Sequence, residues 1–198
     1  CGSLPPGADG TLVTRLIATA RAGGVRCAVD SSGEALAAAI EAGADLLSPN
    51  ARELAGVSPA VAAALADGLE ALADVATDFS ADHGCELLVS LGADGAIWTD
   101  GTVALHARGR AAVPVNTAGA GDALLAGWLA GGSDPTQRLV RAVTWGRAAC
   151  LSPTTVIGPG ELDQDDGPTV EVSTSARGMR RSAADPSGHP PTGATAHA

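Results

Sequence analysis

Bulky side chains are almost absent from this chain: it has one Phe, three Trp and no Tyr, although 45% of its 198 residues are apolar. That apolar share predicts a globular body with a sizeable core. The core has to be assembled from Ala, Val and Leu, which cannot bridge wide gaps. Helices must therefore sit tightly on a sheet, as in an α/β layer arrangement.

The order of elements agrees. Residues 9–23 place Leu12, Val13, Leu16, Ile17 and Ala20 on one helical face and stop at Gly23-Gly24. Residues 25–29 read as a short buried strand ending at Asp30, 33–43 as an Ala-rich helix, and 45–48 as a second strand cut off by Pro49. Helices are expected over 50–56 and 58–83, and strands over 85–91 and 96–99 around a turn at Gly92–Gly95. Asp100-Gly101 signals a hairpin to a strand at 103–106. Two more helices follow at 119–131 and 134–151, the second with Asp134 as N-cap and Pro135 at its first position. This alternation predicts a mostly parallel sheet covered by helices. Residues 163–198 lose the apolar period; apart from an edge strand around Val170 and Val172, a disordered tail is expected from about Ser173.

Charge narrows the chemistry. The formal net charge is −10, and all 12 cationic residues are Arg. Such a chain is a poor match for nucleic acid or anionic membranes, which need clustered cations. Without Lys there is no Walker A loop, so any bound phosphate must be held by backbone N–H groups, Arg or a metal. Cys1, Cys27, Cys85 and Cys150 lack metal-ligand spacing and read as reduced thiols of a cytoplasmic protein. No apolar run reaches the ~18 residues of a membrane span. The sole Met is Met179, so an N-terminally truncated chain is expected, with a lipoprotein-type Cys1 as the alternative.

The sharpest feature is Asn116-Thr117-Ala118-Gly119-Ala120-Gly121-Asp122, followed directly by an apolar helix. Small residues let backbone approach a ligand, and a helix N-terminus aims unpaired N–H donors and a positive dipole end at it. This is an anion hole without a cationic side chain. Asp122, in the first turn, is placed to accept a hydroxyl proton as that oxygen attacks phosphorus. The plain alternative is a tight strand-to-helix turn whose Asp only complements the helix dipole.

This stretch resembles the second signature of the PfkB-type (ribokinase-like) sugar kinases. Further matches follow in the family's order: Gly2–Gly7, Ser48–Leu54, Ser90–Ala96 and Ala142–Ala149. The resemblance implies a ribokinase-like, Rossmann-type three-layer α/β fold, of which residues 1–162 would be the C-terminal nucleotide-binding part. It also implies ATP and Mg²⁺, Asp122 as catalytic base, and Gly119, Ala120 and Gly121 as the anion hole. Ser90, Gly92, Gly95, Thr117, Gly119 and Gly121 would contact the nucleotide. Asn50 and Glu53 read from spacing alone either as a capping box or as Mg²⁺ holders through water; the resemblance points to the metal role. Ser48 departs from the Lys common in the family.

Within the family, the Gly2–Gly7 loop and Asn116-Thr117 point to the 1-phosphofructokinase and tagatose-6-phosphate kinase branch. The expected reaction is phosphoryl transfer from ATP to a phosphorylated ketohexose, first of all fructose 1-phosphate. Tagatose 6-phosphate, fructose 6-phosphate and ribose stand as alternatives, as does a non-catalytic nucleotide-binding remnant. Family members carry a further N-terminal section with a β lid through which some dimerise, so the chain alone is expected to be a weak kinase or none, and the longer protein a homodimer. A Rossmann dinucleotide enzyme is disfavoured, because no Gly-x-Gly-x-x-Gly opens a helix after the first strand.

Overall fold

The computed structural model describes residues 4–111, 113–154, 158 and 171–176. Helices and short strands alternate through the first half: α1 (Gly10–Ala22), β1 (Ala28–Val29), α2 (Gly33–Glu41), β2 (Leu46–Leu47), α3 (Ala51–Val57), α4 (Pro59–Asp67) and α5 (Leu69–His83). Then come β3 (Glu86–Ser90), β4 (Ala96–Thr99), β5 (Val103–Arg108), α6 (Ala120–Leu129), α7 (Pro135–Leu151) and β6 (Glu171–Ala176). The helix signals work as expected at α7, where the Asp134 carboxylate accepts the Thr136 N–H at 2.9 Å and Pro135 opens the first turn.

The strands form one sheet in the order β1-β2-β3-β4-β5-β6. It is mixed rather than mostly parallel: β1–β2 and β2–β3 pair parallel, whereas β3–β4, β4–β5 and β5–β6 pair antiparallel. The reason is connection length. Each parallel pair is joined through helices, but β3–β4 and β4–β5 are joined by tight turns that cannot cross over. The carboxylate of Asp100 shapes the second of these turns by accepting the Thr102 and Val103 N–H groups at 2.9 and 3.1 Å.

The pleat sorts apolar side chains into two cores. Leu47, Leu87, Val89 and Ile97 join Leu36, Leu54, Val61, Leu72 and Phe79 under α1–α5. Leu46, Leu88, Trp98 and Leu105 face the other way and pack on Leu124, Trp128, Leu139 and Val143 of α6 and α7. Three layers result, and each fully buried Leu contributes roughly 1.5–3 kcal/mol. Trp98 and Trp128 meet with ring centroids 5.2 Å apart, and the Arg138 guanidinium caps Trp128 at 4.0 Å.

Several expectations need correction. The helix expected over 58–83 breaks at Gly68, whose φ of +99° ends α4 and starts α5. On α1 only Ile17 of the expected face is deeply buried, with Val13 packed against the core; Leu12 and Leu16 are 40% and 61% exposed, because α1 rests mainly on α2 rather than on the sheet. β6 meets the edge strand expected around Val170 and Val172 but continues to Ala176, past Ser173 where the tail was expected, and runs antiparallel along all of β5, from Val103–Ala176 to Arg108–Glu171. An edge strand held by backbone hydrogen bonds does not need the apolar period that the sequence reading looked for. Val170 and the rest of 163–198 lie outside the described residues, as do Cys1 and the Gly2-Ser3 part of the first loop. Burial pushes the Cys85 thiol up to about 11.

Candidate active site

The site is assembled where β1, β2 and β3 end and α6 begins. Gly119 precedes α6 with φ +80°, the left-handed conformation that favours glycine, and no side chain caps the helix. The loop before it is braced twice. Asn116 Oδ1 accepts the Ala118 N–H at 3.0 Å, and the Val115 and Asn116 N–H groups donate to the Cys150 carbonyl at 2.8 and 3.2 Å. The Ala120 N–H donates to the Thr117 carbonyl at 3.3 Å. Among the described residues the N–H groups of Gly121 and Asp122 have no acceptor, so two donors at the positive end of α6 stay open to a ligand. Asp122 itself is exposed on this first turn.

Asp30, directly after β1, faces the same turn. Its Oδ2 lies 3.9 Å from the point where a Cβ on Gly121 would stand. Partial burial, and then the Asp122 and Glu53 carboxylates, hold Asp30 above the usual carboxylate range. Sequence reasoning treated Asp30 only as the end of a strand. Its position before a helix carried a faint signal, but its nearness to Gly121 depends on how β1 and α6 are brought together.

Asn50 and Glu53 form the capping box. Asn50 Oδ1 accepts the Arg52 and Glu53 N–H groups at 3.0 and 2.9 Å, and Glu53 Oε2 accepts the Asn50 N–H at 2.8 Å. Asn50 is also bridged to Ser90, the last residue of β3. Among the described residues, no group of three or more His, Cys, Asp or Glu side chains is arranged to hold a metal ion.

Beside this acidic end lies a cavity of about 290 Å³, lined among others by Ser90, Gly92, Gly95, Thr117, Ala120 and Gly121. These residues, distant in sequence, thus line one cavity. Gly119, Asp122, Asn50 and Glu53 are not among its lining residues. Val143, Gly146, Cys150 and Leu151 of α7 also line it. The two helices can close on each other because Gly146 has no side chain: a Cβ there would stand 3.2 Å from both the Ala120 carbonyl and Leu124 Cβ. Gly95 is as constrained, with φ +86° and its position for a Cβ only 1.9 Å from the Ala107 carbonyl oxygen. The cavity also receives Arg108, Arg110 and Arg147, which the sequence reading did not single out. Neither His83 nor His106 lines it: His83 stacks on Phe79 at 4.1 Å, and His106 bonds the Asp94 carbonyl at 2.7 Å.

Residues 1–156 match the profile described as pfkB family carbohydrate kinase. The chain belongs to this family. Relatives of this pfkB-family chain include the 1-phosphofructokinase of Rhodobacter capsulatus, 40% identical over 127 residues, which cover 64% of this chain and 39% of that protein. Another is the ATP-dependent 6-phosphofructokinase isozyme 2 of Escherichia coli (strain K12), 35% identical over 63% of this chain and 40% of that protein. Among solved structures, phosphofructokinase-2 from Escherichia coli in complex with substrates and products superposes with a TM-score of 0.70 at 30% identity, over 81% of this chain and 53% of that one. The pfkB-family chain therefore spans about 40% of the length of these curated relatives. Its mixed, helix-flanked sheet is the ribokinase-like fold, in part. No helix among the described residues is long and apolar enough to cross a membrane.

Proposed function

We propose that this chain carries the nucleotide-binding and catalytic part of an ATP-dependent kinase acting on a phosphorylated ketohexose, with fructose 1-phosphate as the first candidate acceptor. One observation carries the proposal: the uncapped start of α6 presents open Gly121 and Asp122 N–H donors and the exposed Asp122 carboxylate on one turn, at the edge of the cavity. Asp122 takes the proton from the attacking hydroxyl, a role worth typically ~10²–10⁴ in rate. The Gly121 and Asp122 N–H groups, with that of Gly119, stabilise charge on the transferring phosphoryl group, each donor being worth roughly 3 kcal/mol in a dry site. The apolar wall of α7 takes the base, and the turn at Gly92–Gly95 lies along the phosphates. The substrate preference follows the 1-phosphofructokinase relatives.

Mg²⁺ fits the donor set. Glu53 supplies a hard carboxylate oxygen, and Mg²⁺ is ordinarily held by one or two carboxylates plus substrate phosphates and water. Glu53 would hold it, most directly through Oε1, which lies outside the capping box, with Asn50 fixing the start of the helix. The ion would supply charge neutralisation on the phosphates.

The test is a coupled ADP-release assay with MgATP on this chain and on Asp122→Asn, over fructose 1-phosphate, tagatose 6-phosphate, fructose 6-phosphate and ribose. Turnover on one sugar that falls by at least ~10² in the variant supports the proposal. Turnover that survives the substitution refutes the role of Asp122. If MgATP binds saturably but no sugar is phosphorylated by this chain or by the longer protein, a nucleotide-binding remnant is the correct description.

A further inference from the structure

This inference rests on the nucleotide site proposed above and concerns which side chain in it recognises the phosphates. The chain carries 22 acidic residues against 12 Arg and no Lys, yet the cavity reverses that balance locally. Arg108, Arg110 and Arg147 all line it, and no Asp or Glu does. Three cationic residues gathered around one cavity favour an anion there.

The three are not equivalent. Arg108 is already paired, its Nη2 3.3 Å from Asp94 Oδ1. Arg147 donates its Nε–H to the Arg110 backbone carbonyl at 3.0 Å, fixing the loop after β5 against α7. Arg110 is exposed, and its guanidinium has no hydrogen-bond or carboxylate partner among the described residues. Elsewhere in the fold Arg26, Arg138 and Arg141 are engaged by Glu86, the Trp128 carbonyl and the Gly131 carbonyl. The remainder of the cavity wall contains apolar Leu124, Val143 and Leu151, suited to a flat base. An apolar wall with one open guanidinium suits a ligand that is aromatic at one end and anionic at the other.

We propose that Arg110, held in place through its own carbonyl by Arg147, is the phosphate-binding cation of this nucleotide site and sets its preference for nucleoside di- and triphosphates over the bare nucleoside. The guanidinium forms charge-assisted hydrogen bonds to phosphate oxygens, which a planar fork of donors makes well.

The experiment measures equilibrium binding of MgATP, ADP and adenosine to the 198-residue chain, its Arg110→Ala variant and its Arg110→Lys variant. Arg147 engages the Arg110 backbone, so these substitutions leave that bond in place, and melting curves matching the parent check it. The expected result is that Arg110→Ala weakens ATP and ADP by about tenfold or more and leaves adenosine unchanged. Arg110→Lys should restore part of the loss, and the dependence of ATP affinity on salt should be shallower in Arg110→Ala than in the parent. Equal weakening of adenosine and ADP would show that the guanidinium contacts the base instead, and no weakening of either would remove Arg110 from the site; both overturn the inference while leaving the nucleotide site standing. A parent chain that binds none of the three ligands overturns the nucleotide site itself, and the role of Arg110 with it.

Discussion

Gly95 gives the most demanding test of the fold around the cavity, and Gly92, three residues earlier in the same turn, is its internal control. Both have positive φ, +86° and +61°. At Gly92 an added Cβ meets nothing within 4 Å, so Gly92→Ala carries only the conformational penalty of the left-handed region, about 1–2 kcal/mol. At Gly95 the Cβ would stand 1.9 Å from the Ala107 carbonyl oxygen and 2.9 Å from Arg108 Cα. These are backbone atoms of β5, so no rotamer change relieves the overlap; β4 and β5 must separate. That overpacking adds roughly 1–3 kcal/mol to the same backbone penalty, for a total of about 2–5 kcal/mol. A domain of ordinary stability has about 5–15 kcal/mol in all, so Gly95→Ala should show as a large shift in the urea midpoint. Buried Trp98, on β4 beside the turn, reports the transition by fluorescence. Equal midpoints for Gly95→Ala and Gly92→Ala would refute the claim that close approach of β5, rather than φ alone, demands glycine there.

Two further outcomes follow from side-chain bonds. Asn50→Ala removes the acceptor of two N–H groups at the start of α3, and should lower stability by about 1 kcal/mol and the melting temperature by about 2–4 °C; Asn50→Asp keeps the cap and should melt with the parent. A melting temperature unchanged in Asn50→Ala would show that the cap contributes nothing. At Asp100, partial burial opposes ionisation, but the Thr102 hydroxyl and the Thr102 and Val103 N–H groups prevail and hold the carboxyl below its ordinary value of 3.8. The ionised form is thus favoured by folding, so its stabilisation is present above pH 3.8 and lost as pH falls through the lower folded value. Urea titrations should therefore find Asp100→Asn less stable than the parent near pH 6, with the gap closing in acid; a gap that is the same at both pH values would contradict this assignment.

What the sequence determined by itself was local. The uncapped glycine turn into α6, the Asn50–Glu53 box, the Asp134–Pro135 start of α7 and the Asp100-Gly101 turn each depend on residues within a few positions of one another. Backbone conformation and capping bonds are decided at that range, so residue type and spacing suffice to read them. Tertiary structure decided the rest. The sheet is mixed because β3–β4 and β4–β5 are joined by turns too short to cross over, and pairing with β5 carries β6 to Ala176, beyond the edge strand expected around Val170 and Val172. Asp30 meets Gly121, and Arg110 meets Arg147, because the ends of β1 and β5 are carried to the starts and faces of α6 and α7. A solvated arginine and an arginine lining a cavity have the same sequence signature. The difference is made by the packing of small residues, Gly146 above all, that lets two helices and a loop enclose the space in which charge acquires a ligand.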